Sequence, residues 1–349
     1  MSNEVWINGR RLAADAPPYV VAEVSANHNG SLERAKAIIS AAGQAGVDAV
    51  KLQTYRPDTI TLPADSADFR IEGGLWHGRT LYDLYEEAHL PWDWHAPLFE
   101  HARKLGLTIF SSPFDNTAVD LLEDLGAPAY KIASFEAVDL PLIRYVASTG
   151  KPMVISTGMA NQDEIAEAVA TARDNGCSQL IVLHCVSGYP APAGDYNLRT
   201  LVDMAQRYPA LVGLSDHTLD NATAVAATAL GACFIEKHFT LDRSGGGPDD
   251  SFSLEPDDLA RLCRDVKTAW ESLGQVHYER SESERGNAQF RRSLYFVKDL
   301  QAGDVIDADS IRSVRPGYGL APRYFDELLG KTLTRSVQRY QPVRWDYFD

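Results

Sequence analysis

No apolar run in this chain approaches the about 18 residues that a membrane helix needs. The richest stretch, Ala224 to Ile235, is short and interrupted by Thr228 and Gly231. The opening MSNEVWINGR lacks a basic segment followed by an apolar one, so no signal peptide is expected and the cytoplasm is the expected location. Cysteine is scarce. Cys177, Cys185, Cys233 and Cys263 contain no C-x-x-C pair, which argues against a disulfide framework or a cysteine zinc site. They read as buried free thiols in a reducing compartment. Positive charge is outweighed, with 33 Lys and Arg against 48 Asp and Glu, for a net charge of −15. Such a surface repels nucleic acid and anionic membranes, and neither is expected as a partner. A few convergent cations can still make a positive pocket for a small anion. Gly and Pro are spread along the chain, which excludes collagen-like and low-complexity readings.

What is present is an alternation. Eight short apolar runs read as strands: Tyr19–Val24, Ala49–Gln53, Thr108–Ser111, Ala129–Ile132, Met153–Ser156, Leu180–Leu183, Leu211–Leu214 and Cys233–Lys237. Helical patterns over 31–45, 80–105 (broken at Pro91), 116–125, 140–149, 161–175, 197–207, 220–230 and 256–273 follow them. Eight strand–helix units predict an α/β fold, a (β/α)8 TIM barrel. The rival, an open doubly wound sheet, lacks its glycine-rich turn after the first strand. Residues 1–12 predict a hairpin around Asn8-Gly9. The connection 54–79, with Gly73, Gly74 and Trp76, is long enough to suggest a functional loop. The expected boundaries are a barrel over 1–280 with that hairpin, a polar linker over 281–292 and a small module over 293–349.

In such a barrel the active site is built from the C-terminal ends of the strands. Those ends carry Glu23, Asn27 and His28; Lys51 and Gln53; Ser111 and Ser112; Lys131, Ser134 and Glu136; Ser156; His184, Ser187 and Tyr189; Ser215 and His217; Glu236, Lys237 and His238. Lys51 and Lys131 with nearby serines suit a phosphate and a carboxylate. An unpaired ammonium at the end of an apolar strand is costly, which implies an anionic partner. A serine there can also simply bond its own backbone. His217 and His238 end neighbouring strands and can share one divalent ion, leaving positions for water and substrate. His184 is a weaker candidate ligand. Glu23 and Glu136 are candidates for proton transfer, or for pairing with the lysines. Asp249 and Asp250 follow Gly245–Gly247 and read equally as a solvated loop or a lid.

These residues carry a resemblance. AEVSANHNG (22–30), KLQTY (51–55), SSPFD (111–115), YKIASFE (130–136), ISTGM (155–159), LHCVSGYP (183–190), GLSDHT (213–218) and IEKHFTLD (235–242) resemble the sialic acid synthase (NeuB) family in order along the chain. RRSLY (291–295) and RPGYGL (315–320) resemble its C-terminal antifreeze-like (SAF) domain. The resemblance implies a transferase that condenses phosphoenolpyruvate with an N-acetylated amino sugar and releases phosphate. It implies a divalent cation (Mn2+, Mg2+ or Co2+) on His217 and His238. Lys51, Ser112, Lys131, Ser134, Ser156, Ser187 and Ser215 are then expected to hold phosphoenolpyruvate. Gln53, Tyr189, Asp249 and Arg315 would hold the sugar, and Glu23 or Glu136 would activate water. A domain-swapped homodimer is expected, with Arg315 reaching the partner's barrel mouth. GGLWHGRTLYDLYEEA (73–88) is most similar to the pseudaminic acid branch. Phe135, Leu214 and Asp250 depart from the sialate branch, and Phe135 offers an apolar wall for a 6-deoxy sugar. The resemblance leaves N-acetylneuraminate and legionaminate synthesis as alternatives. A Schiff-base aldolase using Lys131, or a non-catalytic carbohydrate-binding protein, are alternatives of another class.

Overall fold

Each of the eight apolar runs forms a strand. In chain order after the hairpin strands β1 (Val5–Ile7) and β2 (Arg10–Leu12) come β3 (Tyr19–Glu23), β4 (Ala49–Thr54), β5 (Thr108–Pro113) and β6 (Tyr130–Ile132). Then follow β7 (Met153–Ser156), β8 (Leu180–Cys185), β9 (Leu211–Asp216) and β10 (Phe234–His238). In this computed structural model, which describes residues 4–348, β3 to β10 pair in parallel and close into a barrel, with β10 against β3. Two compact units are present, Met1–Gly274 and Gln275–Asp349.

Local chemistry sets the helix ends. Ser31 accepts the Arg34 amide at the start of helix Leu32–Ala45, and Asn161 with Glu164 forms a capping box ahead of Gln162–Asp174. Pro91 separates helix Leu81–Ala88 from Trp92–Lys104, because its ring disfavours the helical conformation in the residue before it. The helices bury Ile38, Leu98, Val119, Ile143, Val169 and Leu262 against the outside of the barrel.

The barrel interior is what positions the site. Alternate residues of a strand face the same side. Tyr19, Val21, Ala49, Phe110, Ala129, Val154, Leu183 and Phe234 form one apolar cluster with Val5, Ile7 and Leu12 of the hairpin. The hairpin thereby plugs the N-terminal end of the barrel. Its turn residues Asn8 and Gly9 take φ of 48° and 82°, as a two-residue turn of this kind requires. Gly213 lies in this interior, where a Cβ would stand 2.5 Å from the Phe234 carbonyl oxygen and 2.6 Å from Leu183 Cδ2.

Two residues further along the same strands come Glu23, Lys51, Ser112, Lys131, Ser156, Cys185 and Glu236, all buried. An apolar layer therefore lies beneath a charged and hydroxyl-bearing one.

The second unit pairs β11 (Ser293–Phe296) with β12 (Ile311–Val314) in antiparallel fashion. Leu294, Phe296, Ile306, Ile311, Leu328 and Val343 make its core. In the polar segment before it, Glu282–Arg285 and Gly286–Phe290 form short helical turns. Among the described residues, no helix is long and apolar enough to cross a membrane. All four cysteines are free, three of them buried and Cys263 half-buried.

Candidate functional site

Two acids and two lysines interlock at the barrel mouth. Lys131 Nζ donates to both carboxylate oxygens of Glu236 at 2.8 Å. Lys51 Nζ lies 3.4 Å from Glu236 Oε1, pairs with Glu23 and donates to Ser112 Oγ at 3.2 Å. Of the two roles the sequence offered for Glu23, pairing with a lysine is the one seen, and Glu236 adds a second carboxylate; this built-in counter-charge makes burial of the ammonium groups tolerable. Burial pushes Glu23 above the ordinary carboxylate range, and the Lys51 ammonium only partly opposes it. Burial acts on Glu236 in the same direction, but Lys131 and Lys51 together hold it well below that range. Burial lowers Lys131, with Glu236 opposing. Glu236 stands among the strand ends, yet the sequence reading assigned it no role.

Beside the tetrad is a hydroxyl cradle. Ser156 Oγ and Ser187 Oγ are buried without a hydrogen-bond partner. Ser134 Oγ accepts the Gly158 amide at 3.2 Å. A Cβ on Gly158 would lie 2.2 Å from Ser187 Oγ and 2.8 Å from Ser134 Oγ, so only glycine keeps this concavity open. Ser215 is buried on β9, opposite Glu236 in the β9–β10 register. Buried polar atoms are nearly always satisfied in folded proteins. Two orphan hydroxyls next to paired lysines therefore mark a place for a polar ligand.

The imidazoles of His217 and His238 lie edge to face, with ring centroids 5.3 Å apart and planes inclined at 64°. His217 Nδ1 is 2.8 Å from the Val186 carbonyl oxygen, which makes Nδ1 the donor and leaves Nε2 with its lone pair. His238 Nδ1 is buried with no partner, and burial followed by the nearby cations holds that ring neutral, well below its usual value. Burial lowers His217, but Cys185 and the Val186 carbonyl outweigh it and raise the ring above its usual value. A divalent cation would displace that proton, and His217 Nε2 with the unpartnered His238 Nδ1 would then supply two imidazole donors. Among the described residues, no group of three or more His, Cys, Asp or Glu side chains is arranged as a metal cage, so protein ligation would rest on this pair. His184 turns away: its Nε2 bonds the Tyr196 carbonyl.

The third side is a loop after β10. Gln53 Nε2 donates to Glu23 Oε1 at 3.3 Å and Ser25 Oγ at 3.2 Å. Asp249 accepts the Ser25 hydroxyl and, at 3.4 Å, the Ala26 amide. Burial raises its carboxyl above the ordinary range, with Ser25 opposing. Asp250 is buried. It accepts from Asn29 Nδ2 at 2.8 Å, Arg34 at 3.3 Å, the Gly247 amide at 2.9 Å and the Thr240 hydroxyl. The solvated-loop reading of Asp250 is thus corrected: it anchors the segment that presents Asp249. Tyr189 packs its ring 4.4 Å from His217 and 5.2 Å from Phe252.

Glu136 sits in the helical turn Ser134–Val138 after β6. Its Oε2 is buried without a partner. Burial is the main cause that pushes its carboxyl up to about 7. Phe135, by contrast, is 57% exposed. Arg315 belongs to the second unit, where it is exposed beside Pro316.

A model of the NeuB family matches residues 38–278, and one of the SAF domain matches residues 291–349. The chain belongs to the NeuB family. Among NeuB-family relatives, the pseudaminic acid synthase of Campylobacter jejuni strain 81-176 is 42% identical over 93% of this chain and 94% of its own length. The N,N'-diacetyllegionaminic acid synthase of Legionella pneumophila is 34% identical over 95% of this chain and 94% of its own. The crystal structure of N-acetylneuraminic acid synthetase from Leptospira borgpetersenii, in complex with citrate, superimposes with a TM-score of 0.73 at 29% identity, covering 82% of this chain and 95% of that one.

Proposed function

We propose that this NeuB-family chain is a pseudaminic acid synthase, a transferase that joins phosphoenolpyruvate to 2,4-diacetamido-2,4,6-trideoxy-β-L-altropyranose with release of phosphate. The observation that carries the reading is the tetrad of Lys51, Lys131, Glu23 and Glu236 beside the orphan hydroxyls of Ser156 and Ser187. Similarity to pseudaminic acid synthases above that to legionaminic acid synthases supports the branch. Lys51 and Lys131 bind the phosphate and carboxylate charge, and Ser112, Ser134, Ser156, Ser187 and Ser215 complete the hydrogen bonds. Gln53, Tyr189 and Asp249 orient the open-chain sugar. His217 and His238 hold the divalent ion (Mn2+, Mg2+ or Co2+), which when bound acts as a Lewis acid toward the sugar aldehyde.

A carbon–carbon bond forms between carbon 3 of the enol and the aldehyde carbon. The aldehyde oxygen takes a proton from solvent to become a hydroxyl. Water adds at carbon 2, giving a proton to Glu136. The new carbon 2 hydroxyl then passes its proton to the departing phosphate as the bond from carbon 2 to the phosphate oxygen breaks, leaving the ketone. Glu136 is favoured over Glu23 as base, because Glu23 is occupied by Lys51, Gln53 and the Ser25 amide. A general base is best poised near the working pH. The Schiff-base alternative gains from the burial of Lys131 but loses from Glu236, whose two oxygens hold that ammonium.

The use of phosphoenolpyruvate, an intracellular metabolite, supports a cytoplasmic location. In the swapped homodimer that belongs to this reading, Arg315 completes the sugar site of the partner. Mixing Arg315→Ala chains with His217→Ala chains is expected to restore up to half of the wild-type activity, since one site of each mixed pair then carries neither lesion. No recovery despite verified exchange contradicts it. The reaction itself is tested by phosphate release from phosphoenolpyruvate with a panel of amino sugars and the mass of the product. The altrose derivative is expected to be the best substrate. A higher kcat/KM for N-acetylmannosamine overturns the branch.

A further inference from the structure

The connection after β4 is not slack chain. Arg70 and Thr80 bridge antiparallel. The Ile71 amide donates to the Arg79 carbonyl and the Gly78 amide to the Ile71 carbonyl, both at 2.9 Å. Arg79 fastens the base to Glu87 at 2.7 Å and to the Asp83 carbonyl at 2.8 Å. Residues 70–80 thus form a closed arm with Trp76 near its tip. The indole Nε1 donates to the Pro248 carbonyl at 3.2 Å, one residue before Asp249. The indole ring stands 6.0 Å from the Tyr189 ring at 53°, and Tyr189 in turn packs on His217.

The chemistry of the two walls differs. The tetrad side offers ammonium, carboxylate and hydroxyl groups. The Trp76–Tyr189 corner is apolar. Phosphoenolpyruvate brings phosphate and carboxylate, which belong on the first wall. An acetylated amino sugar also brings methyl groups, which are satisfied only against an apolar face. Resting on the synthase reading above, we propose that Trp76 is a positioning residue for the sugar alone: its ring and that of Tyr189 seat a methyl group of the acetylated sugar, and its N–H latches the segment that presents Asp249.

The test uses the full-length enzyme with Trp76→Phe, which keeps a ring but loses the N–H, and Trp76→Ala, which loses both. Trp76 lies outside the core clusters, so both variants are expected to keep the wild-type Tm. Without substrates, hydrogen exchange of residues 245–253 should accelerate in both variants. Unchanged protection there overturns the latch. In steady state, the KM for the sugar should rise about threefold in Trp76→Phe and about tenfold or more in Trp76→Ala, the size expected from one hydrogen bond and one aromatic contact. The KM for phosphoenolpyruvate should stay within about twofold, because none of its expected ligands touches the arm. An equal rise in both KM values, or none in that for the sugar, overturns the positioning role. Equal loss with N-acetylmannosamine, which has no 6-methyl group, assigns the corner to an acetamido methyl; loss confined to the 6-deoxy sugar assigns it to carbon 6. If wild-type enzyme turns over no amino sugar, the synthase reading fails, and the exchange experiment still decides the latch.

Discussion

The lower and upper layers of the barrel interior are made by the same strands, two residues apart, and they have opposite chemistry. Below, Val21, Ala49, Phe110, Ala129, Val154 and Phe234 are packed against the plugging hairpin. Above, the next inward positions are Glu23, Lys51, Ser112, Lys131, Ser156 and Glu236. The lower layer removes apolar surface from water, worth about 1.5–3 kcal/mol for each large side chain. The upper layer carries desolvated charges and orphan hydroxyls that a fold-stabilising core would not choose. Apolar and polar chemistry are thus separated along the barrel axis, with the hairpin on one side and the unpartnered polar groups on the other.

Breaking the upper layer should cost the most activity. Lys131→Met removes a ligand for the anion, and kcat/KM for phosphoenolpyruvate should fall about 10³-fold, at the upper end for loss of one electrostatic stabiliser. The double variant Lys131→Met/Glu236→Leu should melt higher than Lys131→Met, since it removes the excess buried carboxylate that one lysine is left to balance, while staying inactive. Recovery of activity in the double variant would show that the tetrad serves only the fold.

His217→Ala comes next. Activity should drop at least about a hundredfold, beyond the usual cost of losing an outer partner of a metal ligand. Calorimetric titration with manganese should show weakened binding, with Tm in chelator little changed. Manganese binding equal to wild type would remove His217 from the metal site.

Glu136→Gln should lower kcat by about a hundredfold, a typical contribution of one general base. In wild type, activity should rise with pH through about 7, where Glu136 ionises, and the variant should lose that limb. Asp139 raises this carboxyl and Lys51 lowers it, and Tyr85 faces it from helix Leu81–Ala88. The stability effect runs the other way. A carboxyl raised in the folded state stabilises at pH below its unfolded value and loses that contribution as pH rises through about 7. Glu136→Gln should therefore raise Tm at pH 8 more than at pH 5.

The smallest effect on activity is expected in the lower layer. Phe110→Ala should cost about 3–5 kcal/mol of stability and leave kcat/KM of the folded enzyme within about twofold. A large kinetic loss at unchanged stability would erase the distinction between the layers.

Much of the barrel was legible because parallel strands covered by helices are apolar runs, and each run lies between capped helices or a break such as Pro91. The polar end of the barrel was legible because it follows from the strand ends. What was missed has physical reasons. Glu236 has the same inward phase as Phe234, but it sits between Ile235 and Lys237, and neighbours in sequence hide a pairing that closes across the barrel to Lys131. Asp250 follows three glycines, a pattern that reads as mobile, while its partners Asn29 and Arg34 come from the other end of the barrel sequence. Gly158 is explained only by Ser134 and Ser187, brought together from neighbouring strand ends.

The central claim, that the upper layer holds phosphoenolpyruvate for attack by water at carbon 2, is tested most directly with phosphoenolpyruvate carrying oxygen-18 in the bridge between carbon 2 and phosphorus. Turnover with the altrose derivative should place the label in the released phosphate, and the ketone oxygen of the product should come from solvent. Label retained in the product, or pyruvate formed from unlabelled carbon chains without a sugar, would contradict the account.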